Sequence, residues 1–313
     1  MKRFILKKVL LGIVIILIVV ILSFFLLHVI PGSPFQTTKI LSPEIQKKMD
    51  AYYGLDRPLI YQLLHYLSNI FRLDFGFSYQ YQGVPVFKII SETFPVSALI
   101  GLQAFIIGFP SGIVLGILSA KKSNKTIGKS TFIFSIIFTI IPLFILATLL
   151  QYLFSTQLKI FPSGQWKGYY YSVLPSLILS LCFMANKIRQ ARTLTLAIMN
   201  EEYYKVAQTY DLPKYYFFWH YELRNIITPI LATTGIELVG LLMGSVVIEQ
   251  IFALPGIGNA FLSAINNLDY PLILGIIILY STLIIIITTI TDIINFAIDP
   301  RTKIDVRKST TNE

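Results

Sequence analysis

Charge is what this chain has least of. Only 13% of its 313 residues are Asp, Glu, Lys or Arg, against about 25% in soluble domains. With 55% hydrophobic residues and a mean hydropathy of +0.69, that deficit argues against a soluble globular protein and for a bilayer. The single cysteine, Cys182, excludes an internal disulfide and a cysteine-based zinc site, and it suits packing inside an apolar helix. The three histidines, His28, His65 and His220, stand far apart with no second ligand at helical spacing, so no metal site is expected. Neither G-x-S-x-G nor H-E-x-x-H occurs. An enzyme therefore has no visible catalytic set, and no cofactor is expected in the chain. No internal repeat is apparent.

What is present is long apolar runs. A membrane helix needs about 20 mostly apolar residues, and six stretches meet or approach that length: Val9–Ile30, Val96–Ser119, Thr131–Phe154, Tyr171–Asn186, Pro229–Ile251 and Pro271–Ala297. The fourth is short and carries Pro175, which membrane helices tolerate. The expected fold is an all-α multi-pass membrane protein with six transmembrane helices. The run after Lys7-Lys8 exceeds the ~7–15 residues of a signal-peptide core and lacks a small-x-small cleavage site, so it reads as an uncleaved first span.

The net charge of +10 invites a nucleic-acid reading, but its distribution follows membrane sidedness instead. Most of the 26 Lys and Arg fall in four places: the N-terminus, the loop holding Lys121, Lys122, Lys125 and Lys129, the stretch from Lys187 to Arg224, and the tail from Arg301 to Lys308. The two short loops on the opposite side hold only Lys159 and Lys167, and the long outer segment escapes the positive-inside rule. Both termini are expected in the cytoplasm of a cell whose inner membrane the chain spans, and no nucleic-acid partner is expected. The expected organisation is a first helix over 1–30, an extracellular cap over 31–95, a transmembrane core over 96–297 with a cytoplasmic loop at 187–228, and a tail over 298–313.

Within the cap, Ser42-Pro43-Glu44 starts a helix that runs to Tyr53 and stops at Gly54. Pro58 opens a second helix with an apolar stripe of Leu59, Ile60, Leu63, Leu64, Leu67 and Phe71. Asp74 to Val86 reads as extended or irregular. The cap would lie on the outer membrane surface, against lipid.

Ser123 to Ser130 imitates a phosphate-binding loop, but Ser123 replaces the first glycine and the segment joins two spans rather than a strand and a helix. It is a solvated basic turn. Gly108, Gly112 and Gly116 in the second span, and Gly240 and Gly244 in the fifth, have the spacing that lets helices approach closely in lipid. The partner is either another helix of this chain or a second membrane subunit. Intramembrane carboxylates are costly and functional by default. Glu237 either lines a translocation path or sits in a structural pair. Glu249, closing the fifth span, and Asp292, near the inner end of the sixth, suit interfacial or structural hydrogen bonds. A channel or proton-coupled carrier would use Glu237 and Asp292 directly, but three isolated carboxylates are few for a proton relay.

The segment from Glu201 to Pro229 is more polar and more aromatic than a connector requires. It reads as two amphipathic helices broken by Asp211-Leu212-Pro213. In the first, Tyr203, Val206, Ala207 and Tyr210 fall on one face beside Glu202 and Lys205. In the second, Lys214 to Asn225, the apolar set is Tyr215, Phe218, Trp219 and Leu223. Such a pair could lie on a membrane, but a surface helix wants a basic polar face. Here Glu201, Glu202, Asp211 and Glu222 nearly balance Lys205, Lys214 and Arg224, which favours docking on a protein.

Glu202-Tyr203-Tyr204-Lys205-Val206-Ala207-Gln208-Thr209-Tyr210-Asp211-Leu212, then His220 to Asn225 and Pro229, resembles the coupling loop of ABC importer permeases, in the branch that imports peptides and nickel. Glu249-Gln250-Ile251-Phe252-Ala253-Leu254-Pro255-Gly256-Ile257-Gly258 and Asp299-Pro300-Arg301 continue the resemblance. Pro31 to Phe35, Leu41 to Ile45, Tyr53 to Pro58 and Asp74-Phe75-Gly76 are similar to the B-type subunits of oligopeptide permeases. The resemblance implies a transport subunit rather than an enzyme, moving oligopeptides; dipeptides, nickel or metal chelates are alternative cargo. It implies a second permease subunit, two cytoplasmic ATPases that carry the ATP and Mg, and an extracellular lipid-anchored binding protein. It assigns ATPase coupling to Glu202, Tyr203, Val206, Ala207, Tyr210, Asp211, Leu212, His220, Arg224 and Asn225. The family usually has Gly where this chain has Asp211, one of the few other residues that tolerates a left-handed backbone.

Overall fold

The long apolar runs fold as helices, because a backbone in lipid must satisfy its N–H and C=O groups internally. A computed structural model of the chain describes residues 2–30, 54, 56–81, 83–210 and 212–298. The expected helix from Glu44 to Tyr53, the turn residue Asp211 and the Asp299-Pro300-Arg301 motif lie outside the described residues. The helices are α1 (Lys2–Val29), α2 (Leu59–Ile70), α3 (Val86–Lys121), α4 (Thr126–Ile140), α5 (Leu143–Gln151), α6 (Val173–Asn200), α7 (Glu202–Thr209), α8 (Lys214–Phe217), α9 (Arg224–Leu242), α10 (Val246–Ile251), α11 (Ile257–Asn266) and α12 (Tyr270–Ile298). Among the described residues the only β pairing is a lone bridge between Phe77 and Pro85. Among the described residues, five helical stretches are long and apolar enough to cross a membrane, or six if one bent pair counts as a span. The chain is an all-α multi-pass membrane protein.

Four boundaries differ from the sequence expectation. The expected third span, Thr131–Phe154, is two helices bent by 102°. Pro142 has no N–H and forces Ile141 into an extended conformation (φ −65°, ψ 122°), which ends α4. The second helix starts at Val86 rather than Val96. The fourth runs on to Asn200 instead of stopping at Asn186, so Lys187 is a helix-interior residue and not a loop charge. The fifth stops at Leu242, where Gly244 turns left-handed (φ +78°). Ser245 then caps α10 by accepting from the Ile248 N–H, and Glu249 belongs to this separate short helix.

The chain divides into two compact units, Met1–Ser97 with Pro255–Ile285, and Ala98–Leu254 with Ile286–Glu313. In the first, Gly12 lets α1 pack against α12: a Cβ there would lie 2.8 Å from Ile285 Cγ2. Asp269, with no exposed surface, sits at the start of α12. It accepts hydrogen bonds from the Ser78 hydroxyl and from the backbone N–H groups of Tyr79 (3.1 Å), Gln80 (3.2 Å) and Leu272 (3.4 Å). A carboxylate at a helix N-terminus complements its dipole, and here it also ties the irregular stretch after Asp74 to α12. Pro58 opens α2 as expected, but of its apolar stripe only Leu63 is buried, while Leu59, Ile60, Leu64 and Phe71 are exposed.

In the second unit, α3 and α6 approach at the glycines. A Cβ on Gly108 would lie 2.9 Å from Ser180 O, on Gly112 2.6 Å from Lys187 Cβ, and on Gly116 2.6 Å from Ala191 Cβ. Gly101, which its spacing does not single out, is tighter still, 2.1 Å from Leu241 O of α9. Arg192 of α6 donates to Ser119 O (2.5 Å) and Ser119 Oγ (2.7 Å), closing the C-terminal end of α3.

Candidate functional site

The polar, aromatic insert lies wholly within the second unit. Glu201 is extended (φ −68°, ψ 145°) and starts α7, and Glu202 in its first turn complements the helix dipole. The short helix has two faces. Tyr204 and Ala207 are buried, whereas Tyr203, Val206 and Tyr210 are exposed. Ala207 is thus turned away from the three residues with which the helical pattern grouped it. Leu212 beyond the helix is half-buried and Glu202 is exposed.

The second helix of the insert is not a separate element. α8 passes through a π-helical turn, Phe218–Leu223, straight into α9. Asn225 supports this junction by donating its side-chain amide to Tyr221 O (2.9 Å). Tyr215, Tyr216 and Trp219 are exposed. The Tyr215 and Trp219 rings lie 5.8 Å apart, and Tyr216 stacks on His220 at 4.0 Å. Arg224 is half-buried at the start of α9.

Behind this surface is a buried polar hub. The Tyr204 hydroxyl donates to Glu222 Oε1 at 2.8 Å, and Lys121, the last residue of α3, forms an ion pair with Glu222 Oε2. The Glu222 side chain is 3% exposed. Burial, reinforced by the Glu222 carboxylate, pushes the Tyr204 phenol above its ordinary pKa, so it stays a proton donor. The Lys121 ammonium also sits over the Phe218 ring at 5.3 Å. Around the hub, Tyr204 packs with Ile113, Ile117, Ala191, Ile198, Ile226 and Ile230. Sequence reasoning missed Tyr204, Glu222 and Lys121 as a group. Tyr204 was legible as the residue opposite Tyr203 and Val206, but Lys121 is too distant in sequence for any helical pattern to pair it with Glu222.

The intramembrane carboxylates are not gathered into one site. Glu237 Oε2 lies 2.5 Å from Lys187 Nζ, which also donates to Gln190 Oε1 (3.0 Å) and Thr234 Oγ1 (3.1 Å). Glu249 is buried in α10, and Asp292 is half-buried in α12. Among the described residues, nothing lies within 4 Å of where a Gly240 Cβ would be, and Gly244 serves as the left-handed stop of α9. Among the described residues no three His, Cys, Asp or Glu side chains come together as a metal site.

Residues 112–304 match the binding-protein-dependent transport system inner membrane component, and residues 1–100 match the N-terminal region of binding-protein-dependent transport membrane components. The chain is 36% identical over 283 residues to the dipeptide transport system permease protein DppB of Bacillus subtilis, covering 90% of this chain and 92% of that one. It is 33% identical over 303 residues to the oligopeptide transport system permease protein OppB of Salmonella typhimurium, covering 96% and 99%. A third relative, the DppB of Lactococcus lactis, is 32% identical over 304 residues, covering 97% and 100%. These relatives are transport permeases, and the chain belongs to the family of binding-protein-dependent transport system inner membrane components.

Proposed function

We propose that this chain is a transmembrane subunit of an ATP-driven importer that moves oligopeptides delivered by an extracellular, lipid-anchored binding protein. It pairs with a second, similar permease subunit, and two cytoplasmic ATPases bind beneath, carrying ATP and Mg. In this reading the chain has six spans, the bent α4–α5 pair being the third, an extracellular cap between the first two, and both termini in the cytoplasm. The core over 96–297 is the permease proper, and the tail over 298–313 is cytoplasmic.

The observation that carries the reading is the exposed face of Tyr203, Val206, Tyr210, Tyr215 and Trp219, held from behind by Tyr204 and Glu222. Aromatic side chains anchored on a rigid support suit a protein groove, and the ATPase surface is the partner this face fits. ATP closing the ATPase pair would move α7 and α8, and the continuous α8–α9 helix would pass that movement into the membrane. Because each ligand must prefer one state to shift an equilibrium, ATP and the loaded binding protein would jointly favour the outward-open state.

The relatives' names cover dipeptide and oligopeptide systems, so dipeptide cargo is the second reading, with nickel or a metal chelate behind it. Uptake of labelled dipeptide, tetrapeptide and nickel, in cells with and without the chain, tests the proposal. Loss of tetrapeptide uptake supports it, loss of dipeptide uptake alone changes the cargo, and loss of nickel uptake alone overturns the peptide reading.

A further inference from the structure

Between α6 and α9 lies a cleft of about 430 Å³, lined by Asn186, Arg189, Gln190, Thr193, Thr233 and neighbouring apolar atoms. That size falls within the ~300–1,000 Å³ range of small-ligand pockets. On α6, positions 186, 189, 190 and 193 form one stripe at helical spacing. On α9, Thr233 stands one turn from Glu237. Asn186, Arg189, Thr193 and Thr233 are all exposed, yet they belong to helical stretches apolar enough to cross a membrane. Lipid does not cover such a polar stripe, and exposed side chains of this kind on a spanning helix or at its end face water or a polar ligand.

The charge of the cleft is fixed by which groups are already paired. Lys187 and Glu237 neutralise each other at 2.5 Å, and the Lys187 side chain has no exposed surface. Arg189 makes no ion pair among the described residues, so the cleft carries one uncompensated guanidinium. A planar guanidinium binds a carboxylate through two parallel N–H···O bonds. The amides of Asn186 and Gln190 and the hydroxyls of Thr193 and Thr233 offer the donors and acceptors that a peptide backbone needs.

We propose that this cleft is a station on the translocation path that holds the C-terminal end of a peptide in transit, with Arg189 binding its free α-carboxylate. The proposal rests on the peptide-importer reading and deepens it by naming a cargo-contacting residue. Hold at this station is transient, because transport requires release. Arg189 therefore sets which peptides pass rather than how tightly they are first captured.

The test uses the complete transporter in proteoliposomes, comparing a tetrapeptide with a free C-terminus against the same peptide C-terminally amidated. Arg189→Gln should lower the maximal uptake rate of the free acid by ~10-fold or more while leaving the amide unchanged, and Arg189→Lys should recover part of the loss. The half-saturating concentration, set by capture on the binding protein, should not move. An equal loss for both peptides would place Arg189 in contact with the second permease subunit and overturn the proposal, as would no loss. A peptide with a photoreactive last residue gives a second readout, independent of amide uptake. Cross-links within 186–194 support the station, and cross-links elsewhere in the complex overturn it. Failure of the peptide reading would appear differently, as no uptake of either peptide by the unaltered transporter.

Discussion

Lys187 of α6 and Glu237 of α9 form a 2.5 Å ion pair in which the lysine is wholly buried and the glutamate is 33% exposed. The asymmetry predicts which half of the pair matters more. Removing one partner of a buried pair costs about 3–5 kcal/mol, chiefly because the other charge is left uncompensated. Glu237→Ala strands the buried ammonium and should fall at the upper end. Lys187→Met leaves a carboxylate that water can reach and should cost less. Thermal unfolding of the purified protein in detergent checks the order; equal losses would mean that water does not reach Glu237.

The Tyr204–Glu222–Lys121 hub predicts a defect in coupling rather than in insertion. Tyr204→Phe removes one hydrogen bond, about 1.5–3 kcal/mol where the acceptor is charged, and should weaken peptide-stimulated ATP hydrolysis with little loss of expressed protein. Glu222→Ala should do so more severely. The exchange Lys121→Glu with Glu222→Lys should restore part of the activity that either single change removes. Since the raised phenol pKa keeps Tyr204 protonated, its contribution is full below the usual phenol range and is lost only above it. The effect of Tyr204→Phe on ATP hydrolysis should therefore be constant between about pH 6 and 8.

Val206 and Ala207 are neighbours in sequence but face opposite ways, so the same substitution should fail differently at each. Val206→Asp places a charge on the exposed face; it should abolish co-purification with the ATPases and leave the subunit's own melting temperature unchanged. Ala207→Asp forces a carboxylate into a site only 4% exposed and should lower the melting temperature as well. If both variants melt normally and lose only the ATPases, Ala207 also belongs to the docking face.

The glycines separate in the same manner. Gly112→Val would drive side-chain atoms into Lys187 and Met184, and overpacking of this kind costs about 1–3 kcal/mol. A Cβ on Gly240 has nothing within 4 Å among the described residues, so the melting temperature of Gly240→Val should not change. Loss of co-purification with a second permease subunit in Gly240→Val alone would locate that subunit against α9.

Hydropathy made the long helices legible, and the tyrosine-rich pattern from Glu202 to Tyr210 revealed the insert. What stayed hidden has physical causes. The break at Ile141-Pro142 lies in an unbroken apolar run, where hydropathy is blind to backbone direction. Lys187 reads as a loop charge because composition does not register that Glu237 neutralises it. The run-on of α8 into α9 was obscured by Pro229, which looks like a boundary but sits inside the helix. The helical pattern sets Tyr204 opposite Tyr203 and Val206, but only tertiary contacts reveal that it joins Glu222 and Lys121.

The helical run from Lys214 to Leu242 is continuous through its π-helical turn and Pro229, and this gives it the mechanics of a beam on a fulcrum. At ~1.5 Å per residue it is ~43 Å long, and Glu222, gripped by Lys121 and Tyr204, divides it into arms of ~12 Å and ~30 Å. A tilt about that point multiplies a displacement at Tyr215 into one more than twice as large at the far end of α9. A motor stroke of a few ångströms outside the membrane could thus become a gate-sized movement across it.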